Sequence, residues 1–273
     1  MLRRRLAALA AVVGMAIAAG PAGAITFGHP DGTLHPEVGA LLADYDPDSP
    51  GPDLLCSGTL IAPTVFLTAS HCTAYLESQD IAPDDVWVTF APSYDDDSTS
   101  MAGLISGTYH TNPLYASGGE SNTYDIATVV LDSSPGVTPA TLPHVGLLNE
   151  LKASGAIYES TFTAVGYGTV REIKTTGPNA LFFDGVRRYA LQTFLSLQKA
   201  WLTLDMNPST GSGGTCYGDS GGPHFLGGVN SDRIVSVTVT GDAVCRATDT
   251  TYRIDTPWAR DFLEQFPGVS YPG

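Results

Sequence analysis

Positive charge is scarce in this sequence. It carries 13 lysines and arginines against 28 aspartates and glutamates, a formal net charge of −15 over 273 residues. A protein that tracks nucleic-acid phosphates needs a clustered basic face, and that balance excludes one. Beyond the first few residues there is no polybasic patch for an anionic membrane either. Long apolar runs are missing too. The longest, LAALAAVVGMAIAA at 6–19, is too short and wrongly flanked for a membrane-spanning helix. Cysteine is limited to four residues with no C-x-x-C pair, which argues against a structural zinc site. Helical periodicity is absent until the last twenty residues.

What the N-terminus does contain is a targeting segment. MLRRR supplies a positive region, 6–19 an apolar stretch and AGA at 22–24 a small-residue cleavage site, so residues 1–24 read as a signal peptide. Cleavage after Ala24 makes Ile25 the first mature residue, and the product is secreted, extracellular and free of the membrane. Export places Cys56, Cys72, Cys216 and Cys245 in an oxidising compartment, where two disulfides are expected. Three connectivities are open; the sequential one closes the shortest loops.

The mature chain reads as strands. VGALLA (38–43), GTLIAPTVFLTA (58–69), VWVTF (86–90), DIATVVL (125–131) and TFTAVGYG (161–168) come first. RRYALQTFLSL (187–197), AWLTLD (200–205) and IVSVTVT (234–240) follow. In the last, Val235, Val237 and Val239 alternate with Ser236, Thr238 and Thr240, the period of a half-buried strand. Thirty glycines and nineteen prolines punctuate these runs, and many short strands with few helices make an all-β sandwich or barrel. Only TPWARDFLEQF reads as a helix, over about 257–266, with Thr256 as N-cap and Pro257 at its first position. The Pro/Ser/Thr-rich stretch 132–143 divides the chain into units of 25–140 and 141–273, with a cleft between them as the natural site.

The chemistry gathers in three places. TCYGDSGGPHF (215–225) sets Ser220 among glycines; a reactive serine needs a base and a group to orient that base. His71 ends an apolar strand in FLTASHC, and Asp125 opens another in DIATVVL. A carboxylate at the edge of buried sheet is costly unless partnered, and an imidazole suits it.

Together these stretches resemble the trypsin-like (chymotrypsin-fold) secreted serine peptidases. The resemblance lies in CSGTLIAPTVFLTASHC, YDIATVVL and GTCYGDSGGP, in that order, with VGYG at 165–168 and the C-terminal helix in support. It implies two six-stranded antiparallel Greek-key β-barrels, the first carrying His71 and Asp125 and the second Ser220. It implies Ser220 as nucleophile, His71 as general base and Asp125 as the group holding the imidazole. The backbone N–H groups of Gly218 and Ser220 would form the oxyanion hole. Cys56–Cys72 and Cys216–Cys245 would be the disulfides. Ile25, exposed by signal removal, would pair through its new ammonium with Asp219. Polypeptide substrates and protein inhibitors would be the partners of a monomer without cofactor or resident metal. A catalytically silent scaffold would have lost a triad member, and this chain has all three; ester or amide substrates are the other alternative.

The specificity pocket departs from the family pattern. Its base carries Gly214 followed by Thr215, with Gly241 and Thr250 on the walls, so small or apolar side chains are expected rather than basic ones. Asp249 reads as a solvated loop acid; placed inward, it would restore a preference for basic residues. Val239–Thr240 stands where relatives carry a serine and an aromatic, and Ser236 is the candidate to replace that serine beside Asp125. His224 and Tyr217 are expected to line the cleft, and His29, His35, His110 and His144 to be structural. Asp95, Asp96 and Asp97 in YDDDS read as a solvated acidic loop, with calcium binding as the alternative.

Overall fold

Short apolar runs broken by glycine and proline can satisfy their backbone groups only by pairing with one another, and closing the sheets removes the edges. The computed structural model, which describes residues 25–95, 99–171 and 181–273, shows this outcome twice. The predicted signal peptide and Asp96 and Asp97 of the acidic loop lie outside the described residues.

After β1 (His29–Pro30), the first barrel comprises β2 (Val38–Ala43), β3 (Asp53–Ala62), β4 (Val65–Thr68), β5 (Val86–Thr89), β6 (Ile105–Thr111) and β7 (Ala127–Leu131). They close in the order β2-β3-β4-β7-β6-β5. The pairing of β4 with β7 rather than with its sequence neighbour β5 is the long-range return of a Greek key. The predicted single run 58–69 is in fact a hairpin between β3 and β4. Pro63 sits at its turn, where it has no N–H to contribute to a ladder.

The second half has β8 (Thr161–Gly166), a small ribbon of β9 (Val170–Arg171) and β10 (Leu181–Phe182), and β11 (Arg188–Leu197). It continues with β12 (Trp201–Asp205), β13 (Pro223–Leu226), β14 (Ile234–Gly241) and β15 (Thr248–Arg253). The order β11-β12-β15-β14-β13-β8, closed by β8 on β11, is a second six-stranded antiparallel barrel; β1 pairs with the first residues of β11, ahead of where β12 joins it. Strand β14 is not half-buried as its alternation suggests. Ser236 and Thr238 are buried like Val235 and Val237; Ser236 accepts a hydrogen bond from Thr251 Oγ1 on β15 at 2.8 Å, while the Thr238 hydroxyl has no partner among the described residues.

Each barrel has its own core. Leu41, Leu60, Phe66, Val88 and Val129 fill the first, and Phe162, Leu202, Leu204 and Val235 the second. A third cluster, with Val38, Val165, Tyr167, Val237 and Tyr252, joins the two. Truncating a filled core aromatic such as Phe66 to alanine costs about 3–5 kcal/mol.

Two helices were not anticipated: α1 (Ser70–Ser78) and α2 (Leu147–Ser154). Both are short and neither has a side-chain N-cap; the left-handed Gly155 that ends α2 is a capping signal on its own, too little to mark a helix of two turns. The expected terminal helix is present as α3 (Pro257–Leu263), where Thr256 Oγ1 accepts from Ala259 N at 3.2 Å. No helix among the described residues is long and apolar enough to cross a membrane.

Candidate active site

His71 enters the site from the first turn of α1, directly after β4. The helix is pinned where it begins. Ser70 Oγ donates to the Ile126 carbonyl at 2.6 Å, and Cys72 is bonded to Cys56 of β3. The same serine ties α1 to the residue after Asp125, so helix and acid arrive together. Asp125 is buried and gives both carboxylate oxygens to His71. Oδ1 accepts the backbone N–H at 2.8 Å, and Oδ2 lies 2.9 Å from Nδ1. A histidine whose Nδ1–H is donated to a carboxylate keeps Nε2 free to accept a proton. The ring is about a third exposed, so that nitrogen is reachable.

Ser220 lies on the loop between β12 and β13, and the second barrel packs this loop onto the first. Ser57 N donates to the Ser220 carbonyl at 2.9 Å, and Ser57 Oγ to the Gly218 carbonyl at 3.0 Å. Gly221 has φ +77°, and a Cβ there would lie 2.2 Å from Thr68 Oγ1 and 2.7 Å from Ala69 N. Only glycine lets the serine loop settle against the strand end that carries His71. Among the described residues, the backbone N–H groups of Gly218 and Ser220 have no protein acceptor. Two unspent donors in one tight turn beside a partly exposed serine are what a developing oxyanion requires.

Asp219, between them, is fully buried and accepts from Gly168 N and Cys216 N, each at 2.8 Å. A Cβ on Gly166 would meet its Oδ1 at 2.2 Å, which accounts for the glycine in VGYG. Burial pushes its carboxyl up to about 7 against the pull of those two N–H groups, with the charge of Asp249 adding to the rise. Among the described residues no cation pairs with it. Ile25 is also fully buried, packed on Ala164 and Ala190, and its neighbour Thr26 exchanges backbone hydrogen bonds with Gly214 at 2.7 and 3.0 Å. In the uncut chain the nitrogen of Ile25 is an uncharged amide.

Beside Ser220 opens a cavity of about 320 Å³, lined by Thr215, Tyr217, Thr238, Val239, Gly241 and Asp242 among others. The disulfide Cys216–Cys245 joins its two walls. Asp242 folds the wall loop: its Oδ1 accepts from Arg246 N, Ala247 N and Thr248 N at 3.1, 2.7 and 3.0 Å. Burial raises its carboxyl, but those N–H groups win and hold it below the ordinary carboxylate value.

Several expectations for this region need correcting. Gly214 and Thr250 do not line the cavity. Gly214 is spent on Thr26, and Thr250 points to the other side of β15 from Asp249, as alternation along a strand requires. Asp249 is no solvated loop acid. It is fully buried, with Oδ2 accepting from Gln192 Nε2 at 2.8 Å and lying 3.0 Å from His224 Nε2. His224 is therefore buried with Asp249 rather than lining the cleft. Burial raises the Asp249 carboxyl, but His224, Gln192 and Thr215 together hold it below the usual range. Ser236 does not reach Asp125; its hydroxyl is engaged by Thr251. Tyr217 stands exposed at the cavity mouth as expected. Gln192 escaped the sequence analysis altogether, because one glutamine in an apolar strand carries no pattern. Cys56, His71 and Cys72 lie close enough together to suggest a metal site, but both sulfurs are held in the disulfide.

The family model described as Trypsin matches residues 46–262. Among solved structures, one titled as HL collagenase superposes with a TM-score of 0.62, covering 91% of this chain and 99% of its own at 16% identity. It is one of 888 matching chains, so at that identity the likeness establishes the fold alone. No curated protein matches by sequence.

Proposed function

The chain belongs to the trypsin family of serine-type endopeptidases, and from that premise we propose that it cleaves polypeptides through a covalent Ser220 acyl-enzyme. One observation carries the proposal. The His71–Asp125 hydrogen bond lies just past the end of β4, and the turn with the unspent N–H groups of Gly218 and Ser220 packs onto that strand end through Gly221. In the first step His71 Nε2 takes the Ser220 proton as Oγ attacks the scissile carbonyl. Asp125 stabilises the imidazolium, and the two N–H groups hold the carbonyl oxygen as it becomes an oxyanion. The proton then passes to the leaving amine. Water, activated by the same imidazole, releases the acyl group and restores the serine.

The cavity beside Ser220 takes the side chain preceding the cleaved bond. Its walls offer threonine hydroxyls, Val239 and the open face of Gly241, while the Asp249 carboxylate is sealed behind Thr215 and spent on Gln192 and His224. That supports a preference for small or apolar side chains over basic ones. Export with removal of residues 1–24 would make Ile25 the N-terminus. Its ammonium would then be the missing counter-charge for Asp219, fixing the Gly218 turn. Two disulfides suit an extracellular protein acting as a monomer, with protein inhibitors as its other partners.

The test is labelling of the secreted protein with a fluorophosphonate beside a Ser220→Ala control. Modification at Ser220 alone is expected. Folded protein with Ile25 exposed that does not label would refute the acyl-enzyme and leave a silent scaffold.

A further inference from the structure

Asp125 receives hydrogen bonds from His71 alone among the described residues, so its direction is set by its backbone. That backbone is under strain. Tyr124, the residue before it, has φ +54°, a left-handed conformation that costs a bulky residue on the order of 1–3 kcal/mol. Such a residue persists only where its surroundings over-determine it.

The surroundings come from the other barrel. Trp201, at the start of β12, donates from Nε1 to the Glu120 carbonyl at 3.0 Å. Tyr252, on β15, donates its hydroxyl to Asn122 Oδ1 at 2.8 Å, and that oxygen also accepts the backbone N–H of Tyr124 at 3.2 Å. One acceptor therefore ties the second barrel to the strained residue. Trp201 and Tyr252 are themselves partners across β12 and β15, and their rings meet edge to face with centroids 5.7 Å apart. Tyr252 is fully buried. Burial, then the charges of Tyr124 and Asp125, keep its hydroxyl above the usual tyrosine range, so it remains a donor at any working pH.

We propose that Trp201 and Tyr252 are positioning residues that grip the 119–125 loop from the second barrel and so aim Asp125, through His71, at the serine that barrel carries. The proposal rests on the catalytic roles assigned above to His71, Asp125 and Ser220. It explains why both contacts fall within five residues of the acid while, among the described residues, His71 alone donates to its carboxylate.

Tyr252→Phe removes the hydroxyl and keeps the ring. With active-site titration fixing the enzyme concentration, kcat is expected to fall about tenfold, the size of one hydrogen bond used for orientation, with KM unchanged within about twofold. Asn122→Ala, which deletes the acceptor from the other side, is expected to do the same. Asp125→Asn alone should lower kcat by about 10⁴-fold, the loss known for that substitution in this catalytic template. In the Asp125→Asn background Tyr252→Phe should then cost nothing further, since no correctly charged acid remains to be aimed. Full kcat in both Tyr252→Phe and Asn122→Ala beside a crippled Asp125→Asn would overturn the positioning role and leave the triad standing. Equal losses in the two backgrounds would also overturn it, since the effect would then bypass Asp125. Full activity in Asp125→Asn would overturn the triad, and the positioning role with it.

Discussion

Gln192 donates to the Asp249 carboxylate at 2.8 Å from directly beneath Gly214, where a Cβ would stand 2.5 Å from the donating nitrogen. An amide, an imidazole and a carboxylate from three different strands thus lie together behind Gly214. Because the acid is enclosed, Asp249→Asn is expected to act on stability rather than on selectivity. The melting temperature should drop by several degrees, as loss of a buried charge-assisted bond at about 1.5–3 kcal/mol implies. The ratio of kcat/KM for leucine against arginine at the cleaved position should stay within about threefold. A tenfold swing toward leucine would show that the carboxylate reaches the substrate after all.

The same contact forbids the obvious engineering route. Placing an acid behind the cavity by Gly214→Asp drives its Cβ into Gln192 and into Met206, whose Cβ would lie 2.6 Å away. Gly214→Ala is already expected to cost about 1–3 kcal/mol from overpacking, read as a lowered denaturant midpoint. Gly214→Asp should fold poorly rather than cleave after arginine. Efficient cleavage after arginine by that variant would mean that the β11 side chains repack freely.

Asp242 holds the cavity wall in shape without touching the reacting atoms. Asp242→Ala releases three backbone N–H groups at the turn bearing Cys245 and loosens the wall of the cavity proposed to take the substrate side chain. The expected result is a KM raised about tenfold, with kcat reduced less, measured on a fluorogenic peptide. A fall in kcat at constant KM would instead place the effect in the oxyanion turn.

How much of this was legible depends on the range over which each feature is encoded. His71, Asp125 and Ser220 sit in short stretches whose neighbours, Cys72, the apolar 126–131 and the paired Gly221–Gly222, are explained by local geometry. The buried set of Gln192, His224 and Asp249 comes from three strands. Each member alone looks like an unremarkable polar residue, and only barrel closure reveals the cluster. The contact of Tyr252 with Asn122 spans 130 positions and crosses between barrels. Helix α1 was hidden because its residues are chosen for what the site needs, a histidine and a cysteine on its first turn, and not for amphipathicity. The alternation in β14 misled because its polar face is covered as well: the Ser236 hydroxyl is buried against Thr251, and that of Thr238 is buried without a partner among the described residues.

The enclosed Asp219 makes the uncut chain sensitive to pH in a defined direction. Its carboxyl is raised on folding from 3.8 to about 7, so the folded form resists ionisation that the unfolded chain accepts readily. Between those two values rising pH therefore favours unfolding, and above about 7 the penalty is complete, on the order of a few kcal/mol. An uncut Ser220→Ala precursor should lose stability from pH 4 to pH 7 relative to the same precursor carrying Asp219→Asn. After cleavage before Ile25 the ordering should reverse, since the new ammonium would pair with the carboxylate, and the amide of the Asp219→Asn variant would offer it no charge. Denaturant midpoints of all four proteins at pH 5 and pH 8 check this. If the Asp219→Asn precursor shows the same pH slope as its parent, the carboxylate is already compensated in the uncut chain. The ammonium of Ile25 would then have nothing to switch.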